Sequence, residues 1–412
     1  YPSYLLINDG KGNFKDMTKE FGLDFKRFRR TYSCSFMHLN DDEYLDLITV
    51  NDFAGIDLYI NKNGKYYNDV TNSIISEKSS FGMSHTIGDF NLDGLEDLFV
   101  IGMSSTTANR LEKLNLNRPG YEDRNSARSK MGYGNRMYIK QNNGKFIEKQ
   151  FPDMDQITKT GWSWGATTID FDNDSDPDLY VTNGNMSKET AKDYCSTYWR
   201  HDVYTGNSVS NDVLKDFFAE VTYNVESSGM SWNPFETNHL IMNLNGENFI
   251  KIGYLLGVSL ENDSRCIVSE DIDNDGLTDL IVSTTRHHSY FIDGKFPDES
   301  IYIFKNKIQS AEENHWLGVI LSPKKGGFNQ VGTKVCIETN SNEYYCRSIV
   351  DGDSFRSIHS NKIVFGLGKK DKIKTLEVNW SNGEKEIIND PEVDKYYLFP
   401  LNQVQENRLS LH

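Results

Sequence analysis

A ten-residue acidic phrase recurs four times along this chain of 412 residues, each copy set between two apolar runs. A repeat of that kind restricts the fold more than any single motif does. The clearest copy is Asp271-Ile272-Asp273-Asn274-Asp275-Gly276-Leu277-Thr278-Asp279-Leu280. Two more begin at Asp89 and Asp170, and a degenerate one begins at His38. The spacing has a physical reason. Calcium takes six to eight oxygens at roughly 2.3–2.6 Å in a flexible geometry. Oxygens at loop positions 1, 3, 5 and 9, with the backbone carbonyl of position 7, can wrap one ion in a tight turn. Glycine at position 6, as in Gly94 and Gly276, permits the sharp reversal.

The expected ligands follow from those positions. They are Asp89, Asn91, Asp93, the Leu95 carbonyl and Asp97 in one loop, and Asp170, Asp172, Asp174, Asp176 and Asp178 in the next. A third loop supplies Asp271, Asp273, Asp275, the Leu277 carbonyl and Asp279. The degenerate loop offers Asn40, Asp42, the Tyr44 carbonyl and Asp46, but has His38 at position 1 and Glu43 at position 6. Its other reading is an empty turn held by hydrogen bonds. The expectation is three to four Ca2+ ions. An EF-hand would need flanking helices and a glutamate at position 12, whereas runs such as Leu98-Phe99-Val100-Ile101 and Leu280-Ile281-Val282 read as strands.

A second phrase alternates with the first. Met137-Tyr138-Ile139 leads into Asn143-Gly144-Lys145-Phe146, and Leu240-Ile241-Met242 leads into Gly246-Glu247-Asn248-Phe249. Tyr4–Ile7 and Leu58–Ile60 begin two more copies. These are hairpins whose turns favour positive φ. A metal hairpin followed by such a hairpin makes a four-stranded unit, and units stacked radially make a propeller. The expected fold is all-β: a multi-bladed β-propeller with calcium loops and helical insertions over 1–310, then a small C-terminal β-sandwich over 311–412.

At this point the repeats resemble FG-GAP/VCBS repeats, the units of integrin α-chain propellers. Residues 313–400 resemble the ASPIC/UnbV domain seen in the cartilage acidic protein family and many bacterial surface proteins. The matching stretches are Asn329–Val335, Phe365-Gly366-Leu367-Gly368 and Leu376–Gly383. Two departures stand out: Ser381 takes the place of the proline that often follows the late Trp, and the first loop lacks its leading Asp. The resemblance implies seven blades where about four and a half are visible. Together with an opening in mid-pattern at Tyr4, that leads to the expectation of a leader or further blades upstream.

Charge and cysteines narrow the function. A formal charge of −16 argues against nucleic-acid binding, which needs an excess of Lys and Arg. No apolar run approaches the roughly 20 residues needed to cross a bilayer. Millimolar calcium outside cells would fill even weak sites. The expected location is therefore extracellular or at a cell surface, outer-membrane associated or periplasmic if the source is bacterial, with possible anchoring upstream. Cys336 and Cys346 flank a turn at Asn340-Ser341-Asn342 and are either a disulfide across a hairpin or two buried thiols.

The first positions of the loops fall at 38, 89, 170 and 271, so the period stretches from 51 to 81 to 101 residues. Insertions at about 104–135 and 184–238 account for the stretching. They fall between second and third strands, on the face opposite the calcium loops. That face also receives Lys26-Arg27-Phe28-Arg29-Arg30 and Arg286-His287-His288. The first insertion is rich in Arg, including Arg110, Arg124 and Arg128. The second is aromatic and carries Cys195, Trp199 and His201, with short helices expected over 187–200 and 210–222. Arg and aromatic residues on ordered insertions suit a protein or glycan partner. The other reading is that the insertions only cap the propeller.

The leading functional expectation is thus a calcium-binding module for adhesion or complex formation, and not an enzyme. The alternative is a metalloenzyme that uses the propeller as scaffold. Cys34, His85 and Cys266 precede metal loops on channel-lining strands, and with Cys195 and His201 they could hold a transition metal or supply a nucleophile and base. No spacing among them matches a zinc or catalytic signature.

Overall fold

The computed structural model describes residues 2–40, 42–116, 122–149, 155–185, 187, 230–286, 298–323 and 330–400, with single positions at 212, 216, 219, 220 and 223. A two-stranded antiparallel sheet, β1 (Leu6–Asn8) and β2 (Phe14–Asp16), comes first. Three four-stranded sheets follow in chain order. They are β3 (Arg30–Met37), β4 (Asp46–Asp52), β5 (Gly55–Asn61) and β6 (Tyr67–Asp69); then β7 (Gly82–Gly88), β8 (Asp97–Gly102), β9 (Arg136–Lys140) and β10 (Phe146–Glu148); then β11 (Ser163–Ile169), β12 (Asp178–Asn183), β13 (His239–Leu244) and β14 (Asn248–Lys251). A three-stranded sheet of β15 (Asp263–Glu270), β16 (Asp279–Arg286) and β17 (Asp298–Phe304) is the fourth blade. Each acidic decamer joins a first strand to a second strand, as its spacing predicts.

The second strands explain why the units stack. In β8 and β12 every residue is buried, because a neighbouring blade covers each face. The first strands converge: β7 lies against β3 and β4, β11 against β7 and β8, and β15 against β11 and β12. Each first strand carries a register shift near its start, between Thr31 and Ser33, Gly82 and Ser84, Ser163 and Ala166, and Ser264 and Ile267. A bulge repeated at one level bends all four strands alike. The first insertion holds two helices, α1 (Thr106–Lys113) and α2 (Glu122–Met131). The hydroxyl of Ser105 caps α1 by accepting from the Ala108 amide at 3.0 Å. Of the helices expected in the second insertion, the one over 187–200 lies outside the described residues apart from Ser187, and the described positions of 210–222 (Asp212, Asp216, Ala219 and Glu220) are helical.

The C-terminal module is a two-sheet sandwich. Its strands are β18 (His315–Leu321), β19 (Lys334–Thr339), β20 (Tyr344–Ser348), β21 (Lys362–Gly368), β22 (Ile373–Asn379), β23 (Lys385–Asn389) and β24 (Lys395–Phe399). One sheet orders β21-β18-β24 and the other β20-β19-β22-β23. Leu317, Val319, Phe365, Leu376, Val378, Trp380 and Phe399 fill the space between them. Cys336 and Cys346 face each other across β19 and β20 and are disulfide-bonded, which resolves the open pair.

The sandwich does more than pack alongside. Its loop between β20 and β21 runs in among the innermost strands. Ser33 Oγ donates to the Gly352 carbonyl at 2.8 Å, and Ser354 Oγ donates to the Ile267 carbonyl at 3.4 Å. A Cβ at Gly352 would stand 2.2 Å from the Cys34 carbonyl oxygen, so only glycine fits there. Phe355 packs 5.7 Å from Tyr32 and 5.0 Å from Trp164, and it belongs to the propeller's central core with Met83, Ala166 and Val181.

Candidate metal centre

The acidic loops fold around their own carboxylates. In each complete loop the first Asp accepts the amides of positions 5 and 6. Asp89 takes Asp93 at 2.9 Å and Gly94 at 2.8 Å; Asp170 takes Asp174 at 3.1 Å and Ser175 at 3.2 Å; Asp271 takes Asp275 at 3.2 Å and Gly276 at 2.8 Å. Positions 4 and 6 both have left-handed backbone. Leu92, Asn173 and Asn274 lie at φ 60°, 56° and 60°, and Gly94, Ser175 and Gly276 lie at 85°, 91° and 84°. The glycine at position 6 is therefore needed, and Ser175 takes the same conformation at a steric cost.

Position 9 has a role that spacing alone did not indicate. In all four loops this Asp opens the second strand and is buried. One of its oxygens accepts the amide of position 2, from Leu39 (2.9 Å), Phe90 (3.0 Å), Phe171 (3.4 Å) or Ile272 (3.2 Å). The other accepts an amide at or just past the end of the third strand, from Asn61 (2.8 Å), Lys140 (2.8 Å), Asn243 (2.7 Å) or Asn306 (2.7 Å). Asp46, Asp97, Asp178 and Asp279 thus staple each loop to its own blade. In two blades the same Asn ties neighbours together. Asn243 Nδ2 donates to the Phe90 carbonyl (3.1 Å) and Asn306 Nδ2 to the Phe171 carbonyl (2.6 Å), each in the preceding blade. The recurring Asn after the third strand was a readable signal for this.

Three carboxylates converge in two loops. Ligand oxygens of Asp170, Asp172 and Asp174, and likewise of Asp271, Asp273 and Asp275, all lie within 4.8 Å of one another. Asn91 stands where a carboxylate would complete the same trio in the Asp89 loop. Oxygens of Asn91, Asp172 and Asp176 are buried without any hydrogen-bond partner. Burial, reinforced by neighbouring carboxylates, pushes Asp89 and Asp172 up to about 6, Asp170 up to about 7, and Asp97 and Asp176 up to about 8. Asp178 is raised further by the same causes. Hard oxygen donors, orphaned oxygens and carboxyls strained by like charge all fit a hard divalent cation. In the blade-4 loop, Lys305 Nζ contacts Asp273 and lies 3.3 Å from Asp275. The degenerate loop keeps the bond from the position 7 amide to the position 5 carboxylate, Tyr44 to Asp42 Oδ1 at 2.9 Å, but differs at position 1: imidazole at His38 cannot accept two amides, and the Asp42 amide goes to Asn40 Oδ1 (3.1 Å).

These loops are an interface and not an open rim. Tyr396 donates its hydroxyl to Asp271, and Lys362 Nζ donates to the Asp271 carbonyl at 2.6 Å. Ser348 donates through its amide and its hydroxyl to Glu96, both at 2.7 Å. A Cβ on Gly276 would collide with the Trp316 ring, and one on Gly366 with Asp170 and Asn173.

Part of the expected basic face is neutralised within the fold, while Arg30 stays exposed, 3.9 Å from Asp52. Lys26 and Arg29 both pair with Asp57 at 2.5 Å, and Arg27 pairs with Asp24 at 2.9 Å. Arg128 is buried and donates to the Leu116 carbonyl at 3.2 Å, which ties the two helices of the first insertion together. Arg136 is spent on Glu148 (2.6 Å) and on the carbonyls of Ser79 and Lys130. Arg110 is exposed on α1. The side chains of Arg124 and Arg286, and residues Cys195, Trp199, His201 and His287, lie outside the described residues. The remaining candidates for a Cys and His centre form no trio of ligating side chains among the described residues. His85 is fully buried with Nδ1 at 2.8 Å from Ser33 Oγ, and burial pulls it down to about 3. Burial raises the Cys34 thiol. Among the described residues the groups close enough to hold a metal are the two acidic trios.

Two family models match the chain. The FG-GAP-like repeat model covers residues 38–100 and 116–181, and the ASPIC and UnbV model covers 324–406. No curated protein matches it. FG-GAP-like repeats indicate a β-propeller-type binding or adhesion module. No helix among the described residues is long and apolar enough to cross a membrane.

Proposed function

From a chain that joins FG-GAP-like repeats to an ASPIC and UnbV domain, we propose a secreted or cell-surface module that binds a protein or glycan partner and is rigidified by calcium. The observation that carries this reading is the pair of carboxylate trios with buried, partnerless oxygens beside them. Position 1, 3 and 5 oxygens of the three complete loops would hold the ions, with the carbonyls of Leu95 and Leu277 and the oxygens of Asp176. The stapling Asp97, Asp178 and Asp279 stand behind them. Bound calcium would neutralise carboxylates that otherwise repel one another at the seam between propeller and sandwich. The Cys336–Cys346 disulfide suits an oxidising compartment, where calcium is also abundant.

Elemental analysis of purified protein tests the reading. Three to four calcium ions per chain are expected, three in the complete loops and the fourth at Asn40, Asp42, Tyr44 and Asp46. Each filled site adds about 2.7 kcal/mol when free calcium is a hundredfold above its dissociation constant. Because the loops form the seam, chelator should loosen the sandwich together with the propeller. Fewer than two ions per chain with a melt indifferent to chelator would defeat the proposal.

A further inference from the structure

A cavity of about 160 Å³ lies between the acidic loops and the sandwich, walled by the innermost strands β7, β11 and β15. That is room for roughly five waters at about 30 Å³ each. Hydroxyls line one side as two pairs, Thr86 with Thr168 at 3.0 Å and Thr167 with Ser269 at 2.6 Å. Arg347 enters from β20. Its guanidinium sits 5.6 Å over the Phe365 ring, and among the described residues it has neither a hydrogen bond nor an ion pair. Asp170 and Asp178 act on it electrostatically, but both oxygens of each already accept backbone amides.

That condition is unusual. A guanidinium carries five donors in a planar fork, and Arg347, half-buried on the cavity wall, spends none of them on a protein acceptor among the described residues. Arg136 shows what an interior Arg normally does here, with acceptors on all three nitrogens. Two more groups on the cavity wall are unsatisfied. Asp353 is 4% exposed and its Oδ1 has no hydrogen-bond partner, while its Oδ2 lies 3.6 Å from His359 Nε2, which itself makes no hydrogen bond. A planar donor fork, an idle acceptor and a set of hydroxyls together match a small ligand with an oxyanion at one end and hydroxyls at the other.

We propose that this cavity binds a small hydroxylated carboxylate of the uronic-acid class. The carboxylate pairs with Arg347, and a ligand hydroxyl donates to Asp353 Oδ1. The site rests on the calcium reading in one respect. Asp89, Glu96, Asp170, Glu270, Asp271 and Asp353 border it against Arg347, Lys362 and His359, so an anion enters only once ions in the loops offset the loop carboxylates. Glu96 and Glu270 are already engaged, by Ser348 and by Lys362 at 2.9 Å.

Calorimetric titration of the full chain with sodium glucuronate, in saturating calcium and with calcium content measured on the same sample, tests the proposal. Glucuronate is expected to bind with a dissociation constant below about 1 mM, and glucose about tenfold more weakly or not at all. Arg347→Met should abolish the glucuronate heat, and Asp353→Asn should weaken it. A uronate-terminated oligosaccharide binding as tightly as free glucuronate places the ligand at a glycan end; weaker binding points to a free sugar acid, and both outcomes uphold the site. Should Arg347→Met fail to fold, the glucuronate-against-glucose contrast and Asp353→Asn decide. Full calcium content with no glucuronate heat, equal binding of glucose, or an Arg347→Met protein that binds as well as wild type overturns the proposal. A protein that takes up no calcium overturns the loop reading instead, and the charge argument above falls with it.

Discussion

Replacing Phe355 by alanine tests whether the sandwich's loop is a working part of the propeller core. The ring is 2% exposed and is held by Tyr32 from the first blade and Trp164 from the third. Truncating a buried Phe costs about 3–5 kcal/mol through lost transfer energy and the cavity left behind. The edge contacts to two aromatic rings place this site at the upper part of that range. Set against a typical domain stability of roughly 5–15 kcal/mol, the loss is large. Collapse of the surroundings is restricted, because the hole would open among innermost strands fixed by their own blades. With an unfolding entropy of about 2.1 cal/mol/K per residue, a chain of 412 residues shifts by about 1.2 °C per kcal/mol, so the melting temperature should fall by roughly 5 °C. Urea unfolding followed by far-ultraviolet circular dichroism and by tryptophan fluorescence reads the change. Trp164 reports on the channel, while Trp380 reports on the sandwich. Ile358→Ala in the same loop is the control, since that side chain is 69% exposed and should cost almost nothing. A Phe355→Ala loss below about 1 kcal/mol, or one equal to the control, would refute the insertion of the loop into the core.

Two further outcomes are expected. Ser175→Gly should stabilise the protein by about 1 kcal/mol, because serine at φ 91° is strained and its buried hydroxyl has no partner; equilibrium unfolding in chelator and in calcium checks it, and a loss of stability in both would contradict the strain argument. His85 should make the fold acid-sensitive. Its folded value of about 3 lies below the usual 6.5, so the unfolded chain binds the extra proton, and stability is lost as pH falls from about 6.5 toward 3, by up to about 4 kcal/mol. Because the raised carboxyls act in the opposite sense, the measurement is the difference between wild type and His85→Gln across that window; parallel stability curves would count against it.

Much of the architecture was legible because it depends on local chemistry. Alternating apolar runs, Asn-Gly turns and the oxygen spacing of the decamers are short-range patterns, and a strand or hairpin needs only its neighbours to form. The blade order, the acidic loops between first and second strands, and a C-terminal sandwich were all readable in this way. Position 6 of the loops was read correctly as a glycine site for the same reason. Position 9 was read as a ligand, yet Asp46, Asp97, Asp178 and Asp279 each bind two amides, one of them some 15 to 65 residues away. A ligand and a staple use the same carboxylate at the same spacing, so spacing cannot separate them.

The charge of the basic run was legible only in part, for a related reason. Lys26-Arg27-Phe28-Arg29-Arg30 announces charge, but not the distant Asp57 that pairs with Lys26 and Arg29. The sequence by itself determined which segments become strands, which turns collect oxygens, and that Cys336 and Cys346 could meet. Only tertiary structure decided that the sandwich sits on the acidic loops, that Phe355 fills the channel, and that Arg347 is left facing a cavity without a partner. Those three facts depend on surfaces separated by up to three hundred residues, and complementarity between surfaces is a property of shape that no local pattern encodes.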